Sequence, residues 1–376
     1  MTLFSLIVLL TSIVNLAVGF DEYVGSRAIC KEVQWSGGNS FKWPSATTKQ
    51  LYKNGKMFVS KNVLATRFAV YKDEAYVAMP RFKSGIPFTL GILNLRSKGC
   101  LANIFPYPSW ELHEEGECAA FQNVVDVFLD EYDTLWTLDT GIVNHLETPI
   151  RRCPPKVVAF DLKKKKLIKN IDMSQLGTNS SRLQHLVVEN NPDDRTYIYV
   201  SDAADRAILV FDVSSGRGYR VILPKAVSLG CATRDVLSMA LIHCPLSNEN
   251  NLLFSYLSGK HLFTVSTRHL RNGSAVRGKI TDLGIKKNKL VFLGTGNGSA
   301  LYFRNEGESD VYRWDLSNGF DDPSDFEKVY KGRRCELATH VVPDYKRGRM
   351  RVLESSYPDY FHGTVGCGAT HTLTVF

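Results

Sequence analysis

Short runs of β-branched and aromatic residues alternate with polar turns along most of the chain, whereas amphipathic helical periodicity is scarce. One clear unit begins at Leu186 and reads LVVENNPDDRTYIYVSDAADRAILVFDV. It contains an apolar strand, a polar turn, a second strand, a polar break and a third strand. This pattern predicts antiparallel strands joined by short connections.

The same unit recurs along the chain. The other copies begin at Phe68, Val124, Met239, Lys289 and Thr339. The starts lie about 50 to 60 residues apart, the length of one four-stranded propeller blade. Six such units predict an all-β fold, a six-bladed β-propeller in which each blade buries its faces against its neighbours. A pair of large β-sandwiches would explain the strand content but not the repeat.

A propeller must close its ring, and two segments could supply the closing strand. One is KEVQWSG from Lys31 and the other is HTLTVF near the C-terminus. The sequence does not decide between them.

The first residues and the cysteines indicate that the protein is secreted. Residues 1–19 are apolar and end in small residues, which predicts a secretory signal peptide; an N-terminal anchor is the alternative. Residues 20–376 then form a single propeller domain, with no predicted membrane span. Eight cysteines in a secreted chain favour disulfides, and we expect Cys118 to pair with Cys153 and Cys231 with Cys335. Sequons predict N-glycosylation at Asn179, Asn272 and Asn297.

The connections between second and third strands should share one rim of the disc, at the mouth of the central channel. Acidic and aromatic side chains together suit an organic cation. The same residues would also serve as ordinary turn formers. The candidate ligand-binding residues on this rim are Arg81, Phe82, Lys83, Asp139, Asp202, Arg206, Tyr256 and Tyr357.

Several chemistries are not supported by any motif. LDTG from Leu138 matches the aspartic-protease triplet but lacks a second copy. Nine histidines show no metal-ligand spacing, so we predict neither a metal nor another cofactor. The net charge of +8 is spread along the chain, which favours acidic extracellular partners over nucleic acid.

Several segments resemble the insect yellow and major royal jelly proteins. They cover nearly the whole mature chain in the order of that family. The segments are ATRFAVYKDEAYVAMPRFKSGIPFTL, PYPSWE, DTLWTLDTG, RRCPPKVVAFDL, YIYVSDAADRAILVFDV and GYRV. Phe82 departs from the family, in which many members have Trp. No catalytic motif of the family could be matched here, so the catalytic residues are unknown.

Within the family, TGIVN, RRCPPKVV, RGYRVILPKAV and DYFHGTVGCG are most similar to the yellow-g type. That resemblance implies a secreted, more structural than enzymatic component of the eggshell, which contributes to the vitelline membrane or chorion and its rigidity. Its partners would be matrix or eggshell proteins. Other branches imply two alternatives, a dopachrome-converting enzyme of melanin synthesis and a protein that binds small aromatic amines or catechol-derived ligands at the channel mouth.

Overall fold

The computed structural model describes residues 30–244, 249–273, 279–296, 298–316, 326–366 and 368–376. The predicted signal peptide, residues 1–19, lies outside these ranges, and so does the sequon at Asn297. Cys367 and the side chain of Cys244 are also outside the described part of the chain.

The described residues form six four-stranded antiparallel sheets, which confirms the predicted six-bladed propeller. Blades 1 to 5 follow the chain from the inner to the outer strand. Blade 1 has β2 (Arg67–Tyr71), β3 (Glu74–Ala78), β4 (Leu90–Asn94) and β5 (Phe105–Pro106). Blade 2 has β6 (Val124–Leu129), β7 (Thr134–Asp139), β10 (Lys156–Asp161) and β11 (Lys166–Asp172). Blade 3 has β12 (Leu183–Asn190), β13 (Thr196–Asp202), β14 (Ala207–Asp212) and β15 (Arg217–Ile222).

The remaining blades follow the same order up to the closing strand. Blade 4 has β16 (Leu237–Cys244), β17 (Glu249–Tyr256), β18 (His261–Ser266) and β19 (Thr281–Ile285). Blade 5 has β20 (Leu290–Gly296), β21 (Ala300–Asn305), β22 (Val311–Asp315) and β23 (Phe326–Tyr330). Blade 6 has β24 (Leu337–Asp344), β25 (Arg349–Ser355), β26 (Thr370–Val375) and, as its outer strand, β1 (Glu32–Ser36).

Both ends of the chain therefore close the ring. β26 pairs with β25 inside blade 6, and β1 pairs with the free edge of β26. Val33 lies opposite Leu373 in this pairing, and both side chains are fully buried. Both candidate closing segments therefore lie in blade 6, the C-terminal one as its third strand and the N-terminal one as its outer strand.

Helices are few and lie in the connections. They are α1 (Ala46–Asn54), α2 (Thr267–Arg271) and α3 (Tyr357–His362). Short 3₁₀ turns lie at Gly37–Ser40, Ser60–Asn62, Lys98–Cys100, Glu111–His113 and Lys225–Ser228. A small hairpin of β8 (Ile142–Val143) and β9 (Ile150–Arg151) lies in the connection between β7 and β10.

The second strand of each blade is buried on both faces, as β13 illustrates. Its alternate residues Ile198 and Val200 pack with residues of blade 2, whereas Tyr197 and Tyr199 pack with residues of blade 4. Successive side chains of a strand point to opposite faces. This explains why the strands are nearly continuous apolar runs.

One of the two expected disulfides is present. Cys118 is bonded to Cys153, and a second bond joins Cys30 to Cys100. The expected bond between Cys231 and Cys335 is wrong, because both are free thiols. Cys231 lies in the connection from blade 3 to blade 4 and Cys335 in that from blade 5 to blade 6, so the ring keeps them apart. Within the described ranges, no helix is long and apolar enough to cross a membrane.

The closing blade provides a test of how much stability depends on closure. We expect Leu373→Ala to lower the free energy of unfolding by about 2–5 kcal/mol, because it opens a cavity between β1, β26 and β25. Leu167 lies on the outer strand β11 and its side chain is nearly half exposed, so Leu167→Ala should change the free energy of unfolding by less than about 0.5 kcal/mol. Urea denaturation of the two variants measures both values. Equal effects would contradict the role of this blade.

Candidate functional site

The six inner strands β2, β6, β12, β16, β20 and β24 form the wall of the central channel. Each contacts the inner strand of the next blade, and β24 contacts β2 to complete the ring. In blades 1, 2 and 3 the first residues of the inner strand lie opposite the last residues of the second strand. The pairs are Arg67 with Ala78, Val124 with Asp139, and Leu183 with Asp202. The starts of these inner strands therefore lie on the same rim as the connections singled out in the sequence.

Four polar side chains meet at this end of the channel, which we call the channel cluster: Arg67, Asp126, His185 and His340. They come from blades 1, 2, 3 and 6. The Arg67 guanidinium lies 3.2 Å from His185 Nδ1 and 3.5 Å from Asp126 Oδ1. It also donates a hydrogen bond of 2.6 Å to the carbonyl of Thr339 in blade 6. His340 Nδ1 accepts a hydrogen bond of 3.1 Å from the Phe68 backbone.

β-bulges position three of these side chains. The pairing register shifts between Val124 and Asp126 in β6, between Leu183 and Leu186 in β12, and between Ala338 and His340 in β24. A bulge adds one residue to a strand and turns the following side chain to a new direction. Near the start of an inner strand, this rotation brings a polar group toward its neighbours in the cluster.

Asp126 is held in the charged form. Burial acts to raise the pKa of its carboxyl, but the hydrogen bond with His185 and the charge of Arg67 outweigh that effect, and the pKa lies below its usual value. The carboxylate also accepts backbone hydrogen bonds from Val127 at 2.9 Å and from Leu186 at 2.8 Å. Asp126 therefore balances the charge of Arg67 and fastens β6 to β12.

The two histidines are neutral at neutral pH. Burial, together with the charge of Arg67, lowers the pKa of His340 to about 3. Burial also lowers the pKa of His185, against the opposing effect of Asp126. A backbone N–H can only donate, so Nδ1 of His340 is an acceptor and its proton is on Nε2. His185 Nδ1 lies between the Arg67 guanidinium and Asp126 Oδ2, at 3.2 Å and 3.6 Å.

The channel cluster can therefore act as a set of hydrogen-bond donors. Arg67 carries a positive charge, and no described residue accepts a hydrogen bond from Nε2 of His340. Preorganised donors of this kind stabilise negative charge that develops on an oxygen atom. The cluster suits a carbonyl or quinone oxygen better than a cation.

Four of the eight rim candidates are buried and bonded to the protein itself. The Arg81 guanidinium donates to five backbone carbonyls, those of Ile86, Pro87, His113, Phe121 and Gln122. Asp139 accepts from the backbone of Gln122, Asn123 and Gly141, and Asp202 from Ser181 Oγ and the backbone of Arg182 and Asp205. Tyr256 donates to the carbonyl of Ala203. These four side chains fix the shape of the rim.

The other four rim candidates are partly exposed. Lys83 Nζ donates to the Tyr360 carbonyl at 2.9 Å and lies 4.2 Å from the centre of that ring. Phe82 and Tyr357 pack against the small buried cluster of Leu64, Tyr360 and Ala369. Arg206 donates to the Leu223 carbonyl. Burial raises the pKa of Tyr357 against the opposing charges of Arg304 and Arg67, so among these four Tyr357 is electrostatically linked to the channel cluster.

The channel cluster was missed in the sequence analysis, although the sequence holds a signal for it. Each member is a polar residue inside or directly before an apolar inner strand. The segments are RFAVY, VVDVFL, HLVVEN and THVVPD. A polar residue at the same place in several copies of a repeat indicates a shared polar position in the ring.

Of the predicted glycosylation sites within the described ranges, Asn179 and Asn272 are both exposed.

Comparison with known proteins gives one matching family. The family model described as Major royal jelly protein matches residues 122–373. The chain is 35% identical to a dopaminechrome tautomerase of Drosophila melanogaster over 170 residues, 44% of this chain and 36% of that protein. It is 24% identical to major royal jelly protein 7 of Apis mellifera over 266 residues, 63% of this chain and 58% of that protein. Protein yellow of Drosophila melanogaster is 26% identical over 251 residues, 62% of this chain and 46% of that protein. The match covers less than two thirds of each relative.

The low pKa of His340 predicts a pH dependence of stability. An unfolded histidine binds a proton below about pH 6.5, whereas folded His340 binds one only near pH 3, so acidification favours the unfolded chain. His340→Asn keeps an acceptor for the Phe68 N–H and does not titrate. Between pH 6.5 and 5, we expect the free energy of unfolding to fall less steeply in this variant, by a difference that rises from about 0.7 to nearly 1.4 kcal/mol per pH unit. Urea denaturation at several pH values measures this slope.

The matched control is His362→Asn, since His362 lies exposed at the end of α3. It should retain the slope of the unchanged protein. An unchanged slope in His340→Asn would contradict the low pKa of His340 in the folded protein.

Proposed function

We propose, since the chain belongs to the major royal jelly protein family, that it is a secreted eggshell protein whose channel mouth acts on a catechol-derived aromatic compound. The observation that carries the chemical part is the channel cluster of Arg67, Asp126, His185 and His340. The location of the protein in the eggshell rests on the resemblance to the yellow-g type alone. The two parts are therefore tested separately.

The donors of the cluster suit a quinone. A catechol-derived quinone has an aromatic-sized ring with oxygen atoms at its edge, and those oxygens accept hydrogen bonds. Arg67 and the Nε2–H of His340 are donors, while Asp126 keeps the net charge of the site near zero. A neutral site of this kind does not repel a neutral quinone. A cationic amine would need an unpaired carboxylate, and Asp126 is already paired with Arg67.

Tautomerisation is the reaction that such a site supports. A proton leaves a ring carbon while another is gained by a quinone oxygen, so atoms and electrons are conserved and no oxidant is required. The donors would stabilise the negative charge that develops on the oxygen as the carbon loses its proton. Water in the open channel would take up the carbon-bound proton. The relative named dopaminechrome tautomerase supports this choice of substrate class.

The enzymatic part is tested with purified protein and dopaminechrome, followed by loss of its visible absorbance. We expect a rate above the uncatalysed background, and a reduction of about 10²-fold in kcat for His340→Asn, whose shorter side chain has no donor at the position of Nε2. His362→Asn on the exposed surface should keep the full rate. If the unchanged protein shows no rate above background, the site does not catalyse this reaction.

The eggshell part is tested by expression and depletion. We expect the transcript to be restricted to the follicle cells that surround the egg, and its depletion to give eggs that collapse or lose water faster. Water loss of laid eggs under dry air measures this effect. Expression confined to pigmenting epidermis or salivary gland would contradict the eggshell role and leave the enzymatic part standing.

A further inference from the structure

A cleft of about 380 Å³ lies on the rim between blades 2 and 3. One wall is the connection from β7 to β10, and the other is the connection from β11 to β12. No member of the channel cluster lines it. The cleft is therefore a separate site from the one described above.

The cleft carries excess positive charge. Arg151, Arg152 and Arg182 all line it. Arg152 is neutralised by Glu115 at 2.8 Å, but neither Arg151 nor Arg182 forms an ion pair with any described carboxylate. Among the described residues, the Arg182 side chain donates only to the backbone carbonyl of Asp235. Two cationic side chains therefore face the cleft without a counter-charge.

Two carboxylates close to the cleft do not supply that counter-charge. Asp205 is paired with Arg220 at 2.8 Å and accepts hydrogen bonds from the hydroxyls of Thr178 and Ser180. Asp202 is fully buried behind Ser181 and accepts a hydrogen bond of 2.6 Å from the hydroxyl of that serine. Both acids are used to hold the connection from β11 to β12 in place.

His145 reports the same electrostatic environment. Burial, followed by the charges of Arg182 and Arg151, lowers its pKa to about 4. The ring is therefore neutral at neutral pH. Its Nδ1 lies 3.1 Å from the side-chain amide nitrogen of Asn123, and this nitrogen can only donate. Nε2 therefore carries the proton, and a ligand could accept a hydrogen bond from it.

The rest of the lining is apolar, and the walls are rigid. Ile142, Pro154, Pro155 and Leu183 contribute apolar surface. The Cys118–Cys153 disulfide anchors one wall, and the pairing of Ile142 with Arg151 fixes the position of that arginine. Asp202 Oδ1 holds the backbone of Arg182 at 3.0 Å on the opposite wall. A preorganised site loses little entropy when a ligand binds.

We propose that this cleft binds a small organic acid, whose carboxylate, sulfate or phosphate group meets Arg151 and Arg182 and whose apolar body lies against Pro154 and Pro155. The volume is within the range of sites for small molecules. Arginine pairs with such oxyanions through two parallel hydrogen bonds. The proposal goes beyond the function of the channel and holds whether or not the channel is catalytic.

Isothermal titration calorimetry with indole-2-carboxylate and indoxyl sulfate tests the proposal. Indole, which has the same ring without the anion, and inorganic sulfate, which has the anion without the ring, are the comparison ligands. We expect saturable binding of at least one organic acid, tighter than that of either comparison ligand. Preference for one of the two acids identifies the anionic group.

Variants locate the binding. Arg151→Gln, which changes an exposed side chain, should weaken binding by about tenfold or more, and Arg151→Gln with Arg182→Gln should abolish it. The control is Lys166→Gln with Lys169→Gln, which removes the same charge from the exposed strand β11. It should leave the affinity unchanged.

Asn179 lines the same cleft and lies in a sequon, so the titrations are repeated with Asn179→Gln to remove any glycan. Absence of saturable binding in both forms would overturn the proposal. Equal weakening by the control pair would also overturn it, because it would show attraction to net charge rather than to the cleft.

Discussion

The pairing of β1 with β26 is the interaction on which the rest of the structure depends. A propeller blade buries its faces only against its neighbours, so an open ring would expose two apolar faces at once. Here the N-terminal strand covers the edge of the C-terminal strand, and the Cys30–Cys100 disulfide ties the start of β1 to blade 1. The bridge of Gln34 to Leu101 adds a second tie to the same blade. The first and last blades are thus linked both directly and through the N-terminal segment.

The channel cluster lies across this closure. Arg67 of blade 1 bonds to Thr339 of blade 6, and the Phe68 backbone bonds to His340 of blade 6. Asp126 continues the same network through blade 2 to the backbone of blade 3. The geometry of the proposed site is therefore set by ring closure, and a loss of closure would separate its donors. Fold and chemistry depend on one constraint.

Much of the fold could be predicted from the sequence, because strand periodicity and turn residues recur in each blade. The site could not, for a physical reason. A bulge such as that between Ala338 and His340 adds one residue and redirects the next side chain, and simple alternation of polar and apolar residues does not reveal it. The predicted rim residues lie on the same face of the disc as the channel cluster. Arg81 and Asp139 nevertheless have structural roles there, since a turn buries the polar groups that hold it together. The unpaired thiols Cys231 and Cys335 show that an even number of cysteines does not fix connectivity.

The rim thus combines two kinds of polar surface. At the channel mouth, the charges of Arg67 and Asp126 compensate each other beside neutral imidazoles, whereas the cleft between blades 2 and 3 keeps uncompensated arginines. The most direct test of the central claim is a crystal structure of the protein with a stable indole-dione analogue of the quinone. The account predicts the ring in the channel mouth, with an oxygen within hydrogen-bond distance of Arg67 and of Nε2 of His340. An analogue bound elsewhere on the disc, with the channel cluster unoccupied, would contradict it.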